Sequence, residues 1–258
     1  MIHLVFCSKD EKPYIKDFFD WNYNLGFEVM HCADNGGNGT KLDGINYYDY
    51  TQASAFQIPF YQLITNWLDK DDWAFFCDCD EMLSLDVGSI DKFISLVPND
   101  VDCVLFNWKC YGDNGLDSYE EKPVWERFKE PAPKTCVYND SLPQNVTENC
   151  HVKALVRKTN KQIIWNNVHC PLIANGKYVN ANLEQVNPSP WQKINWNGGY
   201  LNHYLTKDTE SFAKRRLGKI DACGNRIDNN KLMRWYFNLN GYNKKTEDYF
   251  KEYLNAVQ

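Results

Sequence analysis

The stretch Trp73-Ala74-Phe75-Phe76-Cys77-Asp78-Cys79-Asp80-Glu81 constrains the fold more than any other part of the chain. Five residues without charge run directly into three carboxylates interrupted by one cysteine. A short, continuous apolar run of this kind suits a strand buried on both faces of a parallel sheet. Such sheets bind ligands beyond the carboxyl ends of their strands, so Asp78, Asp80 and Glu81 are expected at a crevice. Unpaired negative charge is costly to bury, so the cluster needs a cation or a solvated cleft. Hard divalent ions take one or two carboxylates together with substrate phosphates. Asp78 and Asp80, two residues apart, share one face of an ideal strand. An acidic turn capping the next element gives the same letters, and an Asp-x-Asp triplet is common by chance. The apolar run before it is what favours the cation.

The rest of the composition bounds the class. A chain of 258 residues, 43% hydrophobic and 15% aromatic, can bury the core of one α/β domain with extensions. No apolar run is long enough to span a membrane. The start, MIHLVFCSKDE, meets charge too soon for a secretory signal and reads as a first strand. These features predict a cytoplasmic protein, soluble or peripheral at a membrane. Net charge is −6 without a basic tract, which argues against nucleic acid as the partner. The ten cysteines include no Cys-x-x-Cys pair, so free thiols in a reducing compartment are expected, and no structural zinc site.

Along the chain, Ile2–Cys7 reads as a strand, and Pro13 as the first turn of a helix that Gly26 stops. Glu28–Ala33 is a second strand, ending at Asp34-Asn35-Gly36-Gly37. Strand, helix, strand with acids and glycines at the strand ends is the pattern of a parallel nucleotide-binding sheet. A third strand at Ile45–Tyr48, a helix at Ala53–Leu68, a helix at Gly88–Val97 and a strand at Val101–Trp108 follow. Tyr111–Gly115 is a turn by composition. The segment to Pro143 is expected to be a mobile, acceptor-side loop, carrying Pro123, Pro131 and Pro133. Lys153–Lys158 and Gln162–Trp165 read as a hairpin, and Glu210–Ile220, Leu232–Leu239 and Thr246–Val257 as helices.

The ordered motifs resemble a known family. Lys9-x-Glu11, Trp21 with Gly26, Asp34-Asn35 and Asp78-x-Asp80-Glu81-x-Leu83 match first. Trp108-x-x-Tyr111-Gly112-x-x-Gly115, Lys153-Ala154-x-Val156-Arg157 and His169-x-Pro171 come next. Asn202-His203-Tyr204, Lys207 and Glu210-x-Phe212 complete the series. Together they are similar to the glycosyltransferases of family 92 and their bacterial and viral relatives, within the wider family-2-like GT-A group. Departures are mild: Asp10, Tyr111 and Asp208 replace residues more usual at those places, and they bear on the sugar more than on the reaction.

The resemblance implies a GT-A fold, a Rossmann-like, mostly parallel mixed sheet flanked by helices, with C-terminal helices. It implies one domain with a nucleotide-sugar half at about 1–110, an acceptor and metal-His half at about 111–220, and a helical extension to 258. The implied activity is transfer of a sugar from a nucleotide donor, UDP-sugar first, to a glycan hydroxyl with inversion, helped by Mn²⁺ or Mg²⁺. Asp80 would then hold the metal, and Asp78 the ribose or a metal-bound water. His203 is either one more metal ligand or a structural histidine, and Lys207 a phosphate contact; Lys214, Arg215 and Arg216 are alternatives or a solvated helix face. Lys9, Glu11 and Asp34 fall on the nucleoside side, although helix caps and turns explain acids at Asp10, Glu11 and Asp34 equally. The base is Asp113 or His169, with Glu148 less favoured, and Trp108 either stacks on an acceptor sugar or packs in the core. Glu81 has no role beyond a structural hydrogen bond to the loop below it.

Two other readings remain. A sugar nucleotidyltransferase would want a glycine-rich basic phosphate loop where Ser8-Lys9-Asp10-Glu11 stands. A non-catalytic carbohydrate-binding homologue would keep the aromatics without needing the acid pair.

Overall fold

Strand β1 (Ile2–Ser8) is buried along nearly its whole length and sits inside the sheet, paired on both edges. The computed structural model describes residues 1–51, 53–219 and 228–257. After β1 come α1 (Ile15–Leu25), β2 (Val29–Asp34), β3 (Ile45–Asp49), α2 (Gln57–Trp67) and β4 (Trp73–Asp78). Then follow β5 (Glu81–Leu85), α3 (Ile90–Leu96), β6 (Cys103–Tyr111), the single turn α4 (Val124–Arg127) and β7 (Val152–Arg157). The short strands β8 (Ile163–Ile164), β9 (Leu172–Ile173), β10 (Tyr178–Asn180) and β11 (Gln185–Val186) lead to β12 (Gly199–Tyr204). Helices α5 (Thr209–Arg216), α6 (Asn229–Asn240) and α7 (Lys244–Val257) end the described chain. None of these helices is long and apolar enough to cross a membrane.

The fold is α/β, with a Rossmann-like mixed sheet. Its main path runs β11-β10-β6-β7-β4-β1-β2-β3, and β12 pairs with β5 and β6. The pairs β1–β2, β1–β4, β2–β3 and β6–β10 are parallel, whereas β7 runs antiparallel to both β4 and β6. The order 3-2-1-4 is that of a nucleotide-binding half, and it reverses direction between β1 and β4. That reversal is where such sheets open a crevice.

The apolar runs explain these central strands. Both β1 and β4 are buried on two faces, so they carry continuous hydrophobic sequence rather than alternation. On one face, Phe60, Tyr61 and Ile64 of α2 pack on Val5, Ala74, Phe76 and Ala154. On the other face, Phe18 of α1 meets Phe6, with ring centroids 4.7 Å apart, and Phe93 of α3 meets Phe106 at 5.3 Å. Helix α1 buries Ile15, Phe18, Asn22 and Leu25, a three-and-four spacing, and stops at Gly26 with φ +103°.

Several expectations shift. Helix α2 begins at Gln57 rather than Ala53, because Asn35 Nδ2 donates to the carbonyls of Tyr50 and Ala53 and Ala55 turns to φ +53°. The hairpin expected between Lys153–Lys158 and Gln162–Trp165 does not form. β7 instead enters the main sheet between β4 and β6, where its apolar residues are covered on both faces, and β8 pairs with β9. Tyr111 belongs to β6 rather than to the turn after it: the Cys110 N–H finds Asn149 Oδ1 at 2.8 Å and Tyr111 bridges Pro131. Helix α5 ends at Arg216, and Ile220 lies outside the described residues.

The chain forms two compact units that are not consecutive in sequence. The first contains Met1–Trp108 and Cys150–Asn202, with the sheet; the second contains Lys109–Asn149 and His203–Gln258. In the second, α5, α6 and α7 meet at Phe212, Tyr236 and Phe250, whose ring centroids lie 4.8 to 5.6 Å apart. Arg127 and Asp208 form a buried ion pair there at 2.8 Å.

Away from the strand carboxyl ends, His3 Nδ1 meets His31 Nε2 at 3.1 Å, and His31 Nδ1 meets the Tyr48 hydroxyl at 3.1 Å. Burial, helped by the charge of His3, lowers His31 from 6.5 to about 4. The unfolded chain therefore binds a proton between those values that the folded chain rejects. Stability should be complete above pH 6.5 and fall as pH drops toward 4, by roughly 3 kcal/mol at most. Urea unfolding at pH 7 and pH 5 checks this, and His31→Phe should flatten the dependence; an unchanged slope would assign it to other groups.

Candidate functional site

The register of the parallel strands sets the level of the acids. Cys7 pairs with Asp78 across β1 and β4, and Ser8 pairs with Asp34 across β1 and β2. Neighbouring strands are about 4.8 Å apart, so Asp34 and Asp78 flank the end of β1 on either side. Both are the last residues of their strands. The expected placement of carboxylates at the strand ends is thus found, beside the point where the strand order reverses.

On the β2 side, Asp34 organises a glycine loop. Its Oδ1 accepts from Gly36 N–H at 2.9 Å and from Asn38 Nδ2 at 2.6 Å, while Asn38 Oδ1 accepts from the Ser8 hydroxyl and the Glu11 N–H. Among the described residues no hydrogen bond uses Asp34 Oδ2. Gly37 has φ +73°, and a Cβ there would lie 2.1 Å from Asp10 Oδ1, so only glycine fits. Glu11 is buried, and Lys9 makes no ion pair among the described residues.

On the β4 side, the acids meet a cation that sequence reasoning passed over. Lys153, from β7, is fully buried, with Nζ 2.8 Å from Asp78 Oδ2 and 3.4 Å from Glu81 Oε2. Asp78 Oδ1 accepts from Gln57 Nε2 at 2.7 Å, so helix α2 and strand β7 together hold this carboxylate. Glu81 Oε2 accepts the Asp78 N–H at 2.8 Å, closing the turn that carries Asp80. That is the structural hydrogen bond expected of Glu81. Its Oε1 is buried and has no hydrogen bond among the described residues.

The electrostatics follow from burial. Burial opposes the Lys153 charge, but Asp78 and Glu81 beside it more than offset that, and its pKa stands above the ordinary lysine value. Burial drives Glu81 the other way, well above the usual carboxylate range; Lys153 offsets this only in part, and Asp78 and Asp80 add to it. Lys153 thus faces two carboxyl groups, Asp78 and Glu81, with Asp80 following in the same turn. Asp78 and Asp80 match the one or two carboxylates that Mg²⁺ or Mn²⁺ takes when substrate phosphates complete the shell. Among the described residues no group of three or more His, Cys, Asp or Glu side chains is gathered to hold an ion.

Next to Lys153 in the chain, Val152 anchors a second group of residues. Its carbonyl lies 3.0 Å from His169 Nδ1. A carbonyl only accepts, so Nδ1 carries a proton, and in the neutral tautomer the basic nitrogen is Nε2. The loop is held by Asn167 Oδ1, which accepts the N–H groups of His169 and Cys170 at 2.9 Å each. Trp108 is buried, with His151 stacked 4.5 Å from its ring and His169 edge-on at 5.5 Å. Trp191 lies edge-on to His151, with ring centroids 6.1 Å apart, and is 37% exposed. His169 and Trp108 were singled out from sequence; His151 and Trp191 were not, and no local pattern marks them.

The other candidates lie in the second unit. Asp113 caps its own turn, Oδ1 accepting from Gly115 N–H at 2.8 Å, and its Oδ2 accepts the Tyr236 hydroxyl. Glu148 is buried, with its pKa raised by that burial, and Oε1 accepts from Asn139 N–H. His203 is buried in β12, and Lys207 is buried with φ +55°. Lys214 pairs with Glu210 at 2.5 Å on the surface of α5.

No protein-family model matches this chain, and no curated protein matches it.

Proposed function

We propose that the chain is a metal-dependent, inverting glycosyltransferase of the GT-A type, moving a sugar from a nucleoside-diphosphate donor to a hydroxyl of a glycan. The donor class is UDP-sugar, and the setting is the cytoplasm. One observation supports the reading: Asp34 and Asp78 end the two strands that flank β1, opposite Ser8 and Cys7, with the Asp80 turn directly after β4.

In this reading Asp34 takes the nucleoside, its Oδ2 edge accepting from ribose hydroxyls, with Lys9 and Glu11 on the same side. Asp80 is the carboxylate that binds Mn²⁺ or Mg²⁺, and Asp78, fixed by Gln57 and Lys153, orients ribose or a metal-bound water. The ion, when bound, takes up negative charge growing on the leaving diphosphate. His169 receives the acceptor hydroxyl proton at Nε2, because the Val152 carbonyl keeps Nδ1 protonated. Asp113 takes no part in this reading; its two oxygens accept from the Gly115 N–H and the Tyr236 hydroxyl. Trp191, more exposed than Trp108, offers the acceptor a ring. The roles of His203 and Lys207 rest on the resemblance alone.

Asp80→Asn is expected to lose Mn²⁺-dependent affinity for UDP in calorimetry while its circular dichroism and melting curve stay those of the parent. Equal affinity with and without the substitution would remove Asp80 from the metal.

A further inference from the structure

Two cysteines outside the proposed site meet at one side chain. Cys110 lies near the end of β6 and is fully buried; Cys136 lies in the irregular segment after α4 and is 8% exposed. One side chain, Asn149, fixes both. Its Oδ1 accepts the Cys110 N–H at 2.8 Å, and its Nδ2 lies 3.5 Å from Cys136 Sγ. The same Nδ2 reaches the carbonyls of Pro133 and Lys134 at 3.2 and 3.0 Å, and the Ala132 N–H donates to the Cys110 carbonyl at 2.8 Å. Ala132, Pro133, Lys134 and Cys136 are thereby bonded to Cys110 or to Asn149 beside it, which brings the Cys136 sulfur to the strand end that carries Cys110.

We propose that Cys110 and Cys136 form a dithiol–disulfide site, oxidised by a small-molecule disulfide. Cys136, the less buried of the two, acts first: its thiolate attacks one sulfur of the small disulfide, and a thiolate leaves. The mixed disulfide on Cys136 is then attacked by Cys110, which releases the second small thiolate. Two protein thiols are oxidised, one small disulfide is reduced to two thiols, and the protein's two protons pass to the departing thiolates. A side-chain hydrogen bond with Cys110 outweighs burial and lowers the Cys136 pKa from its ordinary value. Cys7, Cys32, Cys77 and Cys103 are the opposite case: burial raises all four thiols, which leaves them poor nucleophiles.

The bond would close residues 110–136 into a loop that contains the Asp113 turn and α4. The test is to expose the native full-length protein to glutathione disulfide, alkylate it, digest it and read the peptides by mass spectrometry. The expected product is a Cys110–Cys136 cross-link, reversed by dithiothreitol, and a melting temperature several degrees higher than that of the reduced protein. Cys110→Ser should stop at a glutathione adduct on Cys136, and Cys136→Ser should give neither adduct nor cross-link. Wild-type protein alone decides the matter if a variant fails to fold. Oxidation first at another pair, a stable mixed disulfide on wild type, or a cross-link seen only after unfolding in urea would each overturn the proposal.

Discussion

Lys153→Met is expected to destabilise the protein by about 3–5 kcal/mol. The ammonium is fully buried between Asp78 and Glu81, at 2.8 and 3.4 Å, so its removal leaves the buried Glu81 carboxyl and the partly exposed Asp78 carboxylate without their shared cation. A surface pair would cost under about 1 kcal/mol, because water replaces the lost partner. Glu81 can relieve part of the strain by staying protonated, the direction in which burial already drives it. The double variant Lys153→Met with Glu81→Gln should therefore recover part of the loss, giving a coupling of about 1–3 kcal/mol in a urea cycle. A single-variant loss below about 1 kcal/mol would mean that water reaches the cluster and that Lys153 does not organise it.

His169→Gln is expected to reduce turnover by about two to four orders of magnitude while donor affinity stays within about twofold. Glutamine keeps a polar group of similar reach but accepts no proton at neutral pH. The Asn167 bonds to the backbone of the loop are independent of the ring, so the segment should stay in place. Release of nucleoside diphosphate in the presence of acceptor reads the first quantity, and calorimetry with donor the second. Asp113→Asn, by contrast, should act mainly on stability, because Asp113 serves its own turn and Tyr236. Near-normal turnover in the glutamine variant would move the base away from His169.

What the sequence made legible was local. WAFFC announced a doubly buried strand because burial on two faces demands continuous apolar residues, and Gly26 announced a helix end because φ +103° suits only glycine. The acids at the ends of β2 and β4 were readable for the same reason. The electrostatic partner of Asp78 was not. Lys153 sits in Val-Lys-Ala-Leu-Val-Arg, which reads as an ordinary strand, and its role depends on β7 being inserted antiparallel beside β4. The same insertion removed the expected hairpin. β5 and β12 escaped notice because their pairing joins distant parts of the chain, with β12 bonded to β5 and β6 and Asn202 to Met82 and Ser84. The interleaving of the two units has no local signal, since it follows from where the chain returns at Cys150 and leaves at Asn202.

The most direct test of the account is a thermal-shift panel of nucleoside diphosphates and nucleotide sugars on the wild-type protein, with and without Mn²⁺. The account predicts that UDP and at least one UDP-sugar raise the melting temperature only when Mn²⁺ is present, and that the gain grows with ligand concentration as mass action requires. Stabilisation by a nucleotide sugar to the same extent in chelator would contradict the role given to Asp80. No shift with any nucleotide would contradict the donor site at the ends of β1, β2 and β4.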